Sequence, residues 1–224
     1  MILKQPTDFI EAKNISVSFS QHEIFSNLSF KIFDDDFFCL IGKNGIGKTT
    51  LVKTILGQLH KTNGEIIFSK KFKSSLSFGY VPQFRNIDQD YPLSIRNFVS
   101  LRLFQPLVPW FSKKEKDIVD TALKRVGIFD IASRKLGSAS GGEKQKAYLA
   151  QAILYDPQLL ILDESTASLD TVSKFDVMDA VKNLNDKYGT TVIFISHDIP
   201  LVEKYGKHSL ELKGDGKYSY KKIN

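Results

Sequence analysis

Cysteine is nearly missing from this chain of 224 residues, and Cys39 on its own excludes an internal disulfide. It reads as a small buried hydrophobe in the apolar stretch around it. Nowhere does an apolar run approach the roughly 18 to 20 residues that a membrane-spanning helix needs. The opening Met1-Ile2-Leu3-Lys4-Gln5-Pro6 lacks the basic-then-apolar order of a secretory signal, so a soluble, cytoplasmic chain is expected. Arginine is scarce beside lysine and does not interleave with aromatic residues. The net charge of +6, gathered partly at Lys70, Lys71 and Lys73 and at Lys113, Lys114 and Lys116, therefore reads as solvated lysines, and no nucleic-acid partner is expected. The acids Asp34-Asp35-Asp36 lack the spaced further ligands of a metal loop and read as a solvated turn. Repeats, low-complexity tracts and long linkers are lacking too. What remains is ordinary globular material, 42% hydrophobic and 25% charged, enough for one sizeable core or one core with an appendage.

Against that plain background one stretch stands out. Gly42-Lys43-Asn44-Gly45-Ile46-Gly47-Lys48-Thr49-Thr50 fits the pattern G-x-x-x-x-G-K-[ST], with the apolar run Phe37 to Ile41 before it and Leu51 to Leu56 after it. Strand, loop and helix are the context in which that pattern cradles phosphate. Glycines at 42, 45 and 47 let backbone N–H groups turn inward on an anion, and the helix starting near Lys48 adds its positive end. Lys48 would reach the β- and γ-phosphates, and Thr49 would place its hydroxyl on Mg²⁺. Nucleotide binding is the expectation.

Around this loop, Ile15, Val17 and Phe19 alternate with serines as on a half-buried strand, and Leu28, Phe30 and Ile32 repeat the pattern. Ser20 to Glu23 reads as the turn between them. A helix is expected over Thr50 to Leu59, ending near Gly57, and Asn63-Gly64 reads as a hairpin turn before Glu65 to Phe68. Leu76 to Val81 is a further strand, closed by Pro82 and Gln83. From Pro92 to Gly137 the pattern turns helical: Ser94 can cap a helix toward Leu103, and Ser112 with Glu115 makes a capping box for a second, ended by Gly127. In that helix Ile118, Val119, Ala122, Leu123 and Val126 share a face. Glu143 to Leu154 reads as a helix, Leu159 to Leu162 and Thr191 to Ile195 as strands covered on both faces, Val172 to Tyr188 as a long helix, and Ser209 to Tyr220 as a closing hairpin. Strands separated by helices call for an α/β fold with a mainly parallel sheet.

Ligands bind outside the carboxyl ends of such strands, and three polar clusters stand at them: the phosphate loop after Ile41, Asp163-Glu164 after Leu162, and Ser196-His197 after Ile195. Asp163 suits Mg²⁺, held through water, and Glu164 can take a proton from a water attacking the γ-phosphate. His197 suits a contact to the γ-phosphate as charge spreads in the transition state. Gln83, just past a strand, could touch Mg²⁺ or the attacking water.

Over nearly its whole length the chain resembles the ATP-binding subunit of an ABC transporter. Gly42 to Thr50 resembles that family's phosphate loop, Gln83 its Q-loop, Ser140-Gly141-Gly142-Glu143 its signature, Leu159 to Glu164 its Mg²⁺ and base strand, Ala167 to Asp170 its D-loop, and His197 its switch histidine. The resemblance implies a P-loop NTPase of ABC type, with an N-terminal antiparallel β subdomain, a catalytic core over about 1–91 and 138–224, and a helical lobe over about 92–137. It implies ATP and Mg²⁺ as ligands, with Gly42, Asn44, Gly45, Gly47, Lys48, Thr49 and Thr50 on the nucleotide and Thr49, Gln83 and Asp163 on the metal. Phe19 lies where the family stacks an aromatic ring on adenine; by pattern alone it is a strand core residue. Ser140, Gly141 and Gly142 would reach the γ-phosphate held by a second subunit; without the resemblance they make a helix-capping turn.

Ala139, Glu143, Lys146 and Ser165 depart from the family's commonest residues, and none removes a phosphate ligand, metal ligand or base. Gly79 to Gln83, Asp88 and Tyr91 to Ile95, with the short lobe, look most like importers of divalent metals such as zinc or manganese. The implied partners are a second copy or related ATPase subunit, membrane permease subunits on whose cytoplasmic face the chain would sit, and an extracellular substrate-binding protein. Phe104, Leu107, Trp110 and Phe111 are either permease-docking residues or lobe core. Rival readings are a soluble ABC ATPase acting on nucleic acid or ribosomes, and an exporter subunit.

Overall fold

A computed structural model describes residues 7–19, 22–69, 78–83, 87–103, 111–214 and 216–223. In chain order the elements are β1 (Asp8–Phe19), β2 (His22–Phe33), β3 (Phe37–Ile41), α1 (Lys48–Ile55), β4 (Asn63–Phe68), β5 (Phe78–Val81), α2 (Ile95–Ser100) and α3 (Lys113–Arg125). They continue with α4 (Gly141–Ala152), β6 (Leu159–Asp163), α5 (Thr171–Tyr188), β7 (Thr191–Ile195), α6 (Ile199–Tyr205), β8 (His208–Gly214) and β9 (Lys217–Lys222). Two units form, one of residues 1–75 and 189–224 and one of residues 76–188.

In the first unit β2, β1 and β4 make a three-stranded antiparallel sheet in that order. β3 runs parallel to β7 on one side and to β8 on the other, and β8 turns back into antiparallel β9, the closing hairpin the glycines near its tip foretell. The alternation of β1 buries Ile10, Ala12, Ile15 and Val17, whereas β3 and, beyond Thr191, β7 are apolar at every position because both faces are covered. Phe30 stacks on Phe38 at 5.6 Å between ring centroids, joining the inner faces of β2 and β3.

Four local expectations give way here. Asn63-Gly64 is no hairpin turn but the first two residues of β4, opposite an irregular stretch of β1 between Lys13 and Ser16. Gly64 has φ 84°, and a Cβ there would stand 2.4 Å from the Asn14 carbonyl oxygen, so the dipeptide serves a bulge instead of a reversal. His22 and Glu23 belong to β2 instead of the preceding turn. α1 does not reach Leu59: it begins at Lys48 and stops at Ile55, just before Gly57, the residue expected to end it, at φ 71°. Asp36 is not solvated: it is 2% exposed, and both its carboxylate oxygens lie 3.0 Å from Nδ1 of His208.

In the second unit β5 and β6 pair in parallel, with Val81 opposite Leu162. Gly79 meets α4 so closely that a Cβ would stand 2.5 Å from the Ala152 carbonyl oxygen, which seats the strand directly on the helix. The helical segment follows its caps. Ser94 Oγ accepts from the Asn97 N–H, and Ser112 and Glu115 form the reciprocal capping box. Val119, Ala122 and Leu123 of α3 are buried while Ile118 is half-buried, and Gly127 follows at φ 73°. Of the four aromatic and aliphatic docking candidates, Phe111 is half-buried; Phe104, Leu107 and Trp110 lie outside the described residues, as do Lys70, Lys71 and Lys73. α4 starts two residues before the expected Glu143 and ends at Ala152.

Candidate nucleotide site

β3 and β7 pair with Leu40 opposite Ile195, so the phosphate loop and Ser196-His197 leave the same carboxyl edge of the first unit. Gly42, Gly45 and Gly47 have φ of 153°, 78° and 107°. At Gly47 the requirement is double, because its left-handed backbone N-caps α1 and a Cβ would meet Ile24 Cγ2 at 2.6 Å. α1 has no side-chain cap and no acid in its first turn, which suits its N-terminus to an anionic ligand. Lys48 is 5% exposed, and its ammonium donates to the carbonyl oxygens of Gly42 at 2.8 Å and Lys43 at 3.1 Å and to Asn44 Oδ1 at 3.4 Å. The positive charge is thus held inside the glycine loop, where oxygens of a phosphate can compete for the same donors. Thr49 is exposed and Thr50 half-buried. Ser196 Oγ accepts from the Asp198 N–H at 3.0 Å, a local turn that presents His197 to solvent. Phe19 ends β1 at 47% exposure, so it is not the core residue that the strand pattern alone suggests.

The second unit has a matching edge. With Val81 opposite Leu162, Gln83 and Asp163-Glu164 emerge together, Gln83 exposed and Asp163 9% exposed. Tyr80 donates its hydroxyl to Asp163 Oδ2 at 2.8 Å, and burial together with that carboxylate pushes its phenol well above the ordinary range, keeping it a donor. Glu164 has φ 46°, a left-handed conformation that costs a non-glycine residue about 1 to 2 kcal/mol. The Ala167 N–H donates to the Glu164 carbonyl at 3.2 Å and closes the turn that keeps it there. Strained residues of this kind gather at functional sites.

Ser140 N-caps α4. Its hydroxyl accepts from the Glu143 N–H at 3.2 Å, and its own N–H donates to Glu143 Oε2 at 2.7 Å. Partial burial acts against ionisation of Glu143, but these Ser140 contacts and the Arg134 guanidinium bonded to it hold its carboxyl below the usual range. The capping turn is therefore present, and the glycines after it have a packing role: a Cβ at Gly141 would stand 2.9 Å from Leu169 Cδ2, and one at Gly142 3.1 Å from Ser173 Cβ. Asp170, in the stretch resembling the D-loop, accepts from the Ser173 N–H at 3.0 Å and its hydroxyl at 2.6 Å, which holds its carboxyl low. Sequence reasoning assigned no partner to Tyr80, Arg134 or Ser173. Among the departures from the family pattern, Lys146 pairs with Asp176 of α5 at 2.7 Å, Ala139 is buried, and Ser165 is fully buried with no partner for its hydroxyl among the described residues.

No group of three or more His, Cys, Asp or Glu side chains that could hold a metal ion occurs among the described residues. Mg²⁺ takes one or two protein ligands and shares the rest of its shell with water and substrate phosphates. At the edge of the second unit, Gln83 and Asp163 carry hard oxygen donors of the kind it takes. Among the described residues no helix is long and apolar enough to cross a membrane.

The model of the ABC transporter family matches residues 25–167, more than half of the chain. This chain belongs to that family, and it is an ATPase of the P-loop type. It is 35% identical over 194 residues to the zinc import ATP-binding protein ZnuC of Buchnera aphidicola subsp. Baizongia pistaciae, covering 87% of this chain and 76% of that one. It is 32% identical over 200 residues to the manganese transport system ATP-binding protein MntB of Halalkalibacterium halodurans, covering 88% and 79%. The structure of cbiO1 from Clostridium perfringens, part of the ABC transporter complex cbiONQ, superposes with a TM-score of 0.82 at 26% identity, over 97% of this chain and 89% of that one. A nucleotide-free ATP-binding cassette from an ABC transporter shares the fold, with a TM-score of 0.81 at 21% identity, over 97% and 92%.

Proposed function

We propose that this chain is the ATPase subunit of a divalent-metal importer, of zinc or manganese, working as a pair on the cytoplasmic face of the membrane against permease subunits. An extracellular binding protein delivering the metal belongs to the same reading. The observation that carries the ATPase assignment is the Lys48 ammonium gathered by loop carbonyls at the carboxyl end of β3, with His197 on the same edge. The cargo is supported by relatives whose names specify zinc import, zinc uptake or manganese transport.

Turnover would run by attack of water on the γ-phosphorus. Glu164 takes the water's proton as the new P–O bond forms, and the bond to the β–γ bridging oxygen breaks to leave ADP and phosphate. Lys48 and His197 stabilise charge on the transferring group, and Phe19, exposed at the end of β1, offers its ring to the base. Thr49, Gln83 and Asp163 would hold Mg²⁺, which neutralises phosphate charge when bound. Ser140, Gly141 and Gly142 would face the ATP of the second subunit.

Lys48→Ala is expected to weaken ATP binding about thirtyfold in calorimetry, since it removes a charge-assisted phosphate contact; unchanged affinity would overturn the assignment. Purification from membranes in mild detergent should bring a permease with the chain. Alanine at Phe104, Leu107, Trp110 and Phe111 together should lower that recovery several-fold and leave ATP affinity intact, and equal recovery would remove these residues from the docking surface.

A further inference from the structure

We infer that Tyr80 is a positioning residue for Asp163, fixing the carboxylate for magnesium-dependent turnover; this rests on the reading of Asp163 as a metal-holding group. The register makes the contact specific. Tyr80 pairs with Ile161 in the parallel β5–β6 ladder, and Asp163 lies two residues further on β6, so both side chains project from one face. Diagonal neighbours at that spacing are about 7 to 8 Å apart, a gap that the length of a tyrosine spans and shorter polar side chains do not. The hydroxyl arrives at 2.8 Å from Oδ2. β5 cannot drift from this position, because the backbone at Gly79 lies against the Ala152 carbonyl.

Among the described residues Tyr80 is the donor to Asp163, and the bond engages a single carboxylate oxygen, leaving Oδ1 for a metal-bound water. A carboxylate that is 9% exposed has few waters to orient it, so the phenol decides which rotamer it keeps. Tyr80 is itself 39% exposed, more than its packing requires if the ring served only as core filling. Gln83 follows two residues past the end of the same strand, so the bond also ties the strand leading to one metal-ligand candidate to the other.

The test is Tyr80→Phe in the full chain, which keeps the ring and deletes the hydroxyl. The apparent KM for Mg²⁺ in ATP hydrolysis should rise about five- to tenfold, well beyond any fall in kcat. In a Glu164→Gln background, calorimetry should show ATP affinity reduced several-fold with Mg²⁺ and unchanged in EDTA. An unaltered Mg²⁺ requirement, or an equal affinity loss with and without the ion, overturns the inference, the second because it marks a merely structural pin. Asp163→Asn separates the two levels. If it leaves the Mg²⁺ requirement intact, the metal reading of Asp163 falls and this inference with it. If it raises the requirement while Tyr80→Phe does not, only the inference falls.

Discussion

Glu164→Gln is expected to lower ATP turnover by roughly a thousandfold while leaving ATP affinity within about twofold of the parent chain. The exchange keeps size, shape and hydrogen-bonding reach and removes the ability to take a proton. It leaves the backbone demand unchanged, because glutamine bears the same cost as glutamate at φ 46°. The Ala167 N–H bond to the residue 164 carbonyl is a main-chain contact and survives as well. Loss of rate without loss of binding is therefore the signature of a missing base. Steady-state phosphate release and calorimetry on the same preparation check it. Near-normal hydrolysis would remove Glu164 from that role, and a parallel collapse of affinity would make it a structural residue of the turn.

The motifs that define the site were legible because each is local. A phosphate loop needs its glycines and lysine within nine residues, and the buried strands Leu159–Asp163 and Thr191–Ile195 announce themselves by the apolar runs Leu159 to Leu162 and Val192 to Ile195. The caps at Ser94 and Ser112 were legible for the same reason: each serine accepts from an N–H only three residues further on. What stayed hidden was settled at long range. Asp36 is buried because His208, 172 residues away, meets it, and no pattern around Asp34 to Asp36 carries that information. Asn63-Gly64 carries a strong local turn signal, yet pairing with β1 overrides it. α6 was not read from the sequence; Pro200 stands in its first turn, where proline is welcome. Among the candidate residues, motif matching singled out Asp163, Glu143 and Gly142 but not Tyr80, Arg134 and Ser173, which hold or crowd them from other elements.

The second large effect is expected away from the chemistry. His208→Ala should destabilise the fold by about 3 to 5 kcal/mol, because it strips the imidazole from a carboxylate whose side chain is only 1% exposed. The imidazole also packs on Phe33 at 4.9 Å and stacks on Tyr220 at 6.2 Å, so alanine leaves a gap as well. Asp36→Asn should cost less, about 1 to 3 kcal/mol, since an amide oxygen can still accept from the Phe33 N–H that now reaches Asp36 Oδ2 at 3.4 Å. The double variant should cost clearly less than the sum, with a coupling of about 1 to 3 kcal/mol, because each change removes the same interaction. Urea unfolding midpoints of the four proteins measure this, and strict additivity would mean that the two side chains contribute independently. The pair matters for the site through its position. Asp36 directly precedes β3, where its carbonyl accepts from the Val192 N–H of β7 at 2.8 Å, and His208 opens β8 opposite Phe38. It thereby pins the three parallel strands at the end opposite the phosphate loop. Saturating ATP should recover part of the lost stability, since a ligand that binds only the folded loop favours it by mass action.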